Sequence, residues 1–341
     1  NKGNIHRQLT RITLSNHPQK IASLFTTRAN YSLTQSLARQ FQPDFAYLWN
    51  IREVSILPAL AMQDMGIPTM YKFGSHWLAH AYQHYTRVNS PIKKLYRRFQ
   101  IGLRQFEELD FTVATFDSES LRQSYVHAGV NFRQSAVVPS FIDDRWATGE
   151  AKQAIHSPLK LLYAGRFDPD KGIMVVMEAF AHLVREYATT DVTLTLIGSG
   201  DDAIMSELHQ IIAEHQLSDL IEFRPFLPHD ELVSALRQYD VLLYPTLAWE
   251  GFGLTIVEAM SQGVPAIASD IGGPRDIVQD GKTGVLIPSG SATALADAIL
   301  ELAQQPERLL AMSRAGVEVV REKYTASHVG KQLQDFMRDT I

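Results

Sequence analysis

Two glycines and two glutamates stand close together in the run 249–260, which follows an apolar strand pattern and opens a helix pattern. Gly251 and Gly253 carry no Cβ, so the backbone there can turn tightly and let an anion approach. The first N–H groups of the helix and the positive end of its dipole would then point at that anion. The spacing therefore predicts a phosphate-binding junction between a strand and a helix.

The two glutamates, Glu250 and Glu258, flank this junction. Glu258 lies one helical turn past Leu254, where a carboxylate can accept hydrogen bonds from both hydroxyls of a ribose. Glu250 lies in the loop before the helix and would reach the next group of the same ligand. Two ordinary surface charges, or a glycosidase-like carboxylate pair, are the alternatives. We disfavour the glycosidase-like pair for two reasons. Glu258 would be committed to the ribose, and no second carboxylate is placed opposite.

A guanidinium and an ammonium stand five residues apart at the end of another strand pattern, in the run 163–172. Arg166 can grip phosphate oxygens with a fixed fork, and Lys171 adds a mobile point charge, so the pair suits a diphosphate. Asp168 and Asp170 also form a D-x-D pair that could hold a divalent metal. Two neighbouring cations would compete with that metal, and Asp and Pro are common turn and cap residues, so we expect no metal.

A third run, 198–203, has the form G-x-G-x-x-A between a strand and a helix and raises the possibility of NAD binding. It is not the first strand–helix unit of its domain, and two acidic residues open its helix. A dinucleotide site would also have an acidic residue at the end of the next strand, whereas Glu222 stands at the beginning of that strand. We interpret this run as a tight turn.

These motifs resemble the group 1 family of retaining nucleotide-sugar glycosyltransferases, which have two Rossmann-like domains facing a cleft, the GT-B arrangement. The likeness covers about residues 43–328 and is specific in three places. These are Gly165-Arg166 with Lys171-Gly172, Glu250-Gly251-Phe252-Gly253 with Glu258, and Gly272-Gly273 with Asp276.

The resemblance implies a role for each matching residue. Arg166 and Lys171 would bind the donor diphosphate, Glu258 the ribose, and Glu250 the donor sugar, while the strand end at 224–226 would lie near the base. The implied donor-binding residues are Arg166, Lys171, Gly251, Phe252, Gly253, Leu254, Thr255, Glu258 and Pro225, and the implied catalytic residues are Glu250 and His76.

The chain departs from the family pattern in three ways. Asp276 stands where the family usually has Glu, which keeps the charge. The Gly-rich turn of the family's first domain is absent. Gly74 replaces the family's active-site histidine, and His76 two residues later is our candidate for the sugar or acceptor side, with a purely structural histidine as the alternative.

From about residue 44 onward, short apolar strands alternate with amphipathic helices, which predicts doubly wound parallel sheets covered on both faces. We predict a partial acceptor-side domain over 1–150, a nucleotide-sugar-binding domain over 151–325, and a C-terminal helix over 326–341 that packs back on the first domain. The first strand pattern follows a helix pattern at 21–41, so we expect an N-terminal piece of the first domain to be missing.

Composition narrows the class of protein. Of 341 residues 45% are hydrophobic and none is cysteine, which excludes disulfides, thiolate metal sites and a cysteine nucleophile. No apolar run is long enough to span a membrane, and we expect a cytoplasmic protein. Residues 1–155 carry 18 basic and 11 acidic side chains, whereas the rest carries 14 and 26. The two halves are thus expected to face different partners.

The run 91–109 predicts an amphipathic basic helix, with its lysines and arginines largely on one face. We expect it to dock on an anionic membrane surface, the inner face of a membrane, or to meet an anionic lipid-linked acceptor. An ordinary solvated helix face is the alternative. Nucleic acid is a poorer partner, because the aromatic residues have core spacing and the second half is acidic.

The function predicted from these observations is a retaining, metal-independent, hexosyltransferase-like enzyme. It would move a sugar from a nucleotide-diphosphate-sugar donor to a glycan, lipid-linked or small-molecule acceptor, with no further cofactor. A nucleotide-sugar epimerase or an NAD-dependent oxidoreductase on a similar fold is the second candidate. A catalytically silent nucleotide-sugar-binding protein is the third.

Overall fold

A computed structural model describes the backbone of residues 17–49, 56–80, 109–187 and 191–340, with side chains from residue 29 onward and not for 186–187. These residues form two compact units. The first unit comprises the described residues up to Val138 and those from Leu333 onward, and the second unit comprises Pro139–Gln332. No described helix is long and apolar enough to cross a membrane. The domain bounds given above and the packing of the terminal helix stay predictions, and the basic run 91–109 lies almost wholly outside the described residues.

The first unit contains a four-stranded parallel sheet in the order β1-β2-β3-β4. Its strands are short and follow one another across the sheet in chain order, as consecutive strands usually do. The strands are β1 (Ala46–Trp49), β2 (Thr69–Phe73), β3 (Val113–Phe116) and β4 (Gln134–Val137), and the helices are α1 (His17–Phe41), α2 (Leu57–Asp64) and α3 (Glu119–His127).

The second unit contains a six-stranded parallel sheet. Its strands are β5 (Leu159–Arg166), β6 (Val192–Ser199), β7 (Ile221–Arg224), β8 (Val241–Tyr244), β9 (Ala266–Ser269) and β10 (Gly284–Ile287). Its helices are α4 (Ile173–Tyr187), α5 (Asp202–Glu214), α6 (His229–Leu236), α7 (Leu254–Ser261), α8 (Gly272–Ile277), α9 (Ala292–Ala303) and α10 (Pro306–Lys323). The residues of the last described helix, α11 (Ala326–Thr340), are divided between the two units.

The order of the second sheet, β10-β9-β8-β5-β6-β7, reverses direction between β5 and β8. The chain builds outward from β5 through β7 and then returns to the other side of β5 for β8. The helices that follow β5 and β8 therefore lie over opposite faces of the sheet, and the carboxyl ends of these two strands mark the position where doubly wound sheets bind ligands.

Both faces of this sheet are buried, as a parallel sheet requires. Successive residues of β5 alternate between two cores: Leu161 and Tyr163 pack on one face, and Leu162 packs on the other. Helix α4 lies over the first core and α7 over the second. This double coverage explains why the strands appear in the sequence as short, continuously apolar runs. The predicted fold class, two α/β domains with parallel sheets, is confirmed.

Candidate active site

The loops after β5 and β8 are tied together by main-chain hydrogen bonds at the reversal point of the second sheet. The Asp170 carbonyl accepts hydrogen bonds from the N–H groups of Leu247 and Ala248, each at 2.9 Å. Gly172, in the left-handed region at φ 76°, lies so close to the second loop that a Cβ would stand 1.9 Å from the Pro245 carbonyl oxygen. The two loops therefore form one rigid surface.

A buried tyrosine fixes the first of these loops from below. The Tyr163 hydroxyl donates to the carbonyl of Arg166 at 2.9 Å and lies 3.4 Å from that of Lys171. Burial first, and then the nearby Asp168 and Glu250 carboxylates, raise the pKa of Tyr163, so the hydroxyl keeps its proton. The Tyr163 hydroxyl therefore contacts the main chain of both basic residues that are predicted to bind a diphosphate, Arg166 and Lys171.

Glu250 is the centre of a hydrogen-bonded cluster. Lys171 Nζ lies 2.6 Å from Glu250 Oε1, and the Tyr244 hydroxyl donates to Oε2. Thr246 Oγ1 lies 3.2 Å from Oε1 and within 3.1 Å of two main-chain carbonyls, which share its single proton. Burial and then the Glu250 carboxylate raise the pKa of Tyr244, so Tyr244 acts as a donor. The carboxylate is held in one orientation by three side chains.

A cavity of about 140 Å³ lies over this cluster and brings four of the predicted site residues together: Arg166, Lys171, Glu250 and Thr255. Gly253 caps helix α7 at φ 141° and ψ 59°, a conformation that suits glycine. The first N–H groups of a helix have no intrahelical acceptor. The cavity therefore combines two cations, one carboxylate and a helix N-terminus, which is an environment for an anion next to a hydroxyl-rich group.

Arg166 extends from the end of β5 with its side chain 74% exposed, and its guanidinium lies 3.3 Å from Asp168 Oδ2. Asp168 also accepts a hydrogen bond from the Asp170 N–H at 3.0 Å and so caps the short helical turn Pro169–Lys171. Asp168 therefore stabilises a turn, which is the ordinary role of an aspartate at such a position.

Gly272 and Gly273, at the start of α8, support the glutamate loop. The Gly273 N–H donates to the Glu250 carbonyl at 2.8 Å. A Cβ on Gly273 would stand 2.2–2.5 Å from three main-chain atoms of Phe252, and one on Gly272 would stand 2.4 Å from the Glu250 carbonyl oxygen. The glycine pair therefore permits a direct backbone contact that sets the shape of the 250–253 loop.

Replacing Gly273 by alanine is expected to displace this loop and to lower the stability of the second unit by about 1–3 kcal/mol, the usual cost of overpacking a core. Urea denaturation gives the free energy, and hydrogen exchange of peptides covering 249–254 localises the change. Gly316→Ala is the matched control, because its Cβ would meet only Met260 side-chain atoms at 3.5 Å or more, within helix α10. Equal hydrogen-exchange protection of the 249–254 peptides in Gly273→Ala and Gly316→Ala would contradict this role of Gly273.

Glu258 lies behind the cavity and is 3% exposed. Its Oε1 is 2.6 Å from His229 Nε2, and the His229 ring packs edge-on against Trp146 at a centroid distance of 4.4 Å. A buried carboxylate needs a partner of this kind. The carboxylate predicted to bind ribose therefore comes with a histidine from the first turn of α6, which the sequence analysis did not identify.

The remaining predicted residues occupy other places. Phe252 is 8% exposed and its ring packs edge-on against Tyr324, so a ligand can meet its main chain but not its ring. Pro225 is exposed just after β7. His76 belongs to the first unit, where burial and then His80 lower its pKa. These three do not line the cavity above, and neither do Gly251, Gly253, Leu254 and Glu258.

The G-x-G-x-x-A run serves the packing of strands. A Cβ on Gly198 would stand 1.9 Å from the Gly165 carbonyl oxygen, and one on Gly200 would stand 2.9 Å from that of Phe167. Asp201 caps α5 through the Ile204 N–H at 2.9 Å. The glycines are therefore required for the close approach of β5 and β6, in agreement with the tight-turn interpretation.

Three side chains that contact the two predicted glutamates were not predicted from the sequence: Tyr244, Thr246 and His229. Tyr244 ends a strand and Thr246 follows it at the reversal point, so their position at a carboxyl strand end could have identified them. His229 stands 29 residues before Glu258 in the chain, and no local pattern connects the two.

Solved structures define the class of this fold, which is that of the GT-B glycosyltransferases. Anabaena Alr3699/HepE in complex with UDP superposes with a TM-score of 0.72 at 18% identity, over 90% of this chain and 82% of that one. The lipopolysaccharide outer core galactosyltransferase WaaB in its apo form gives 0.70 at 17% identity, over 94% and 82%.

The family model for glycosyl transferases group 1 matches residues 144–319, and the chain belongs to that family. Phosphatidyl-myo-inositol mannosyltransferase of Mycobacterium leprae (strain TN) is 34% identical over 177 residues, 51% of this chain and 44% of that protein. Alpha-D-kanosaminyltransferase of Streptomyces kanamyceticus is 25% identical over 291 residues, 83% of this chain and 73% of that protein. The match thus spans less than half the length of the first relative.

Proposed function

We propose that this group 1 glycosyltransferase moves a sugar, with retention of anomeric configuration, from a nucleotide-diphosphate-sugar donor to an acceptor hydroxyl without a metal ion. One observation carries the proposal: Lys171, the Glu250 carboxylate and the N-terminal turn of α7 surround a single cavity. A donor of this kind has a diphosphate for the cations and a hydroxyl-rich sugar for the carboxylate.

The cations would act on the leaving group. When the bond from the sugar to the diphosphate breaks, negative charge accumulates on the phosphate and positive charge on the anomeric carbon. Lys171, Arg166 and the N–H groups of Gly253–Thr255 would stabilise the negative charge, and such preorganised donors contribute most when water is excluded. Because these groups supply the positive charge themselves, the proposal requires no divalent ion.

Glu250 would orient the donor sugar. Its carboxylate is fixed by Lys171, Tyr244 and Thr246, and an ionised carboxylate offers about four lone-pair positions to hydrogen-bond donors. A sugar hydroxyl can fill the remaining position. Retention then has the acceptor attacking on the face that the diphosphate leaves, with a phosphate oxygen taking the acceptor proton.

Glu258 and His229 would hold the ribose together. We expect His229→Ala to weaken donor binding about tenfold, because it removes a hydrogen bond to a buried charge that contributes about 1.5 kcal/mol. We expect Glu258→Ala to weaken it further. Isothermal titration with the nucleoside diphosphate of the donor measures both, and His209→Ala, an exposed histidine on α5, is the control. An unchanged dissociation constant in His229→Ala would exclude a role for that histidine in donor binding.

The named neighbours support the choice of donor class. HepE was crystallised with UDP and with UDP-glucose, and the relatives above carry mannosyl- and kanosaminyltransferase names. The experiment is a thermal-shift panel of UDP-, GDP- and ADP-sugars with NAD as comparison, followed by donor hydrolysis in EDTA. Stabilisation by NAD alone would overturn the proposal. Stabilisation by a nucleotide sugar without hydrolysis or transfer would favour a catalytically silent binding protein. Loss of hydrolysis in EDTA would contradict the claim that the enzyme needs no metal ion.

A further inference from the structure

The first sheet has one aromatic face and one polar face at the carboxyl ends of its strands. Alternate residues of a strand point to opposite faces, so Tyr71, Phe73 and Phe116 share one face and pack as an aromatic core. The opposite face carries Trp49, Lys72, Thr115 and Asp117. Trp49 is paired in register with Lys72, and Lys72 with Thr115. A polar, partly open face at this end of a parallel sheet is a position for a ligand.

A buried ion pair stands at the centre of that face. Lys72 Nζ lies 2.5 Å from Asp117 Oδ1, with the two side chains 9% and 8% exposed, and also donates to the Val138 carbonyl. Among the described residues, Oδ1 accepts no hydrogen bond of normal geometry. Buried ion pairs contribute little to stability unless further hydrogen bonds complete them. This pair therefore has unused hydrogen-bonding capacity at a place where a core would prefer apolar residues.

Gly74 leaves space beside Oδ2 of the Asp117 carboxylate. A Cβ at this position would stand 2.8 Å from Asp117 Oδ2 and 3.9 Å from the Trp49 indole nitrogen. Without it, a cavity of about 280 Å³ remains, lined among others by Trp49, Lys72, Gly74 and Asp117. The Trp49 side chain borders this cavity although the residue is 65% exposed. A large exposed indole beside a buried carboxylate combines a flat apolar surface with a directional acceptor.

We propose that this cavity is a saccharide-binding site, in which the apolar face of a pyranose ring stacks on Trp49 and its hydroxyls bind the Asp117–Lys72 pair. A sugar hydroxyl can donate a hydrogen bond to the carboxylate and accept one from the ammonium. The pair is neutral as a whole, so the site selects an uncharged sugar over a phosphate or a carboxylate. The ligand class is therefore a neutral glycoside.

This inference rests on the proposed function in one respect: the glycoside bound here is the acceptor, which makes the acceptor a sugar. The site itself uses only residues of the first unit. Glycoside binding can therefore be measured without any donor, and donor hydrolysis can be measured without any acceptor. The two hypotheses can fail separately.

The experiment is saturation-transfer difference NMR with the wild-type chain and a panel of methyl pyranosides, neutral and uronic. We expect one or more neutral pyranosides to bind with a millimolar dissociation constant, as small single-ring ligands do. We expect Trp49→Ala to weaken that binding at least tenfold and Asp117→Asn to weaken it to a similar degree. A fold check by circular dichroism accompanies Asp117→Asn, because it changes a buried ion pair, whereas Trp49 is exposed.

Two matched variants serve as controls. Phe41→Ala removes another exposed aromatic side chain of the first unit, and Asp44→Asn neutralises an exposed carboxylate before β1, at the opposite end of that strand. Both should bind the glycoside like the wild type. Equal binding in Trp49→Ala, binding of uronic acids only, or no pyranoside binding while donor hydrolysis proceeds would overturn the inference. Trp49-dependent binding without donor hydrolysis or transfer would support the saccharide site but reject the proposed function, and with it the acceptor role of the bound glycoside.

Discussion

Lys171→Ala is expected to lower the turnover of sugar transfer at least ~100-fold, about 2.7 kcal/mol of transition-state stabilisation, the scale of losing one preorganised contact. The ammonium lies 2.6 Å from Glu250 in the cavity that the diphosphate would occupy. It would therefore act on the leaving group and on the orientation of the sugar-binding carboxylate. Initial rates at saturating donor, with the donor identified in the panel above, provide the measurement.

A double-mutant comparison separates these two effects of Lys171. If the ammonium acts on the leaving phosphate, its removal must still cost rate when Glu250 is already Gln, because the phosphate contact does not need the carboxylate. If it acts only through Glu250, the second loss adds nothing. Lys282→Ala removes an exposed lysine after α8 and should leave the rate unchanged. Near-normal transfer by the purified Lys171→Ala enzyme would reject the assignment.

The second large effect concerns stability rather than chemistry. Asp240 is fully buried just before β8 and accepts hydrogen bonds from His156 Nδ1 at 2.9 Å and from the Lys160 N–H at 2.9 Å. Lys152 Nζ lies 3.6 Å away, and burial lowers the pKa of that ammonium despite the opposing influence of Asp240. Asp240→Ala would leave the Lys160 N–H without its acceptor and the buried Lys152 ammonium without a counter-charge, with the Arg237 carbonyl at 2.8 Å as its remaining acceptor among the described residues.

We expect Asp240→Ala to destabilise the second unit by about 3–5 kcal/mol, the cost of breaking a buried ion pair from one side. Urea denaturation measures the loss, and hydrogen exchange in β5 and β8 assigns it to this unit. Asp219→Ala, an exposed carboxylate before β7, should change stability by no more than about 0.5 kcal/mol. A loss below about 1 kcal/mol for Asp240→Ala would show that Asp240 is not the buried partner described above.

The alternation of strands and helices was predicted from sequence because most strands are short, largely apolar runs closed by turn residues. In a sheet covered on both faces the strands carry little amphipathic pattern, but their length and the helices between them are distinctive. The junction at Gly253 was also predictable, since helix start, glycine spacing and acidic flanks are all local in sequence.

What could not be predicted joins residues far apart in the chain. Glu258 was expected to face a ribose alone, whereas His229, 29 residues earlier, lies against it. Lys72 and Asp117 come from neighbouring strands separated by more than forty residues, and neither stands in a recognisable motif. Such pairs depend on which strands become neighbours and in which register. That information is global, whereas patterns of residue type and spacing are local.

The contact between Gly273 and the main chain of Phe252 has a consequence for engineering. A designer who wants a different sugar specificity would naturally transplant the short stretch that carries Glu250 from a relative. That stretch rests directly on backbone twenty residues later, with no side chain between them to absorb a mismatch. Grafts should therefore exchange 249–253 and 272–273 as one module, and a transplant of the first stretch alone is expected to yield a folded but misaligned catalyst.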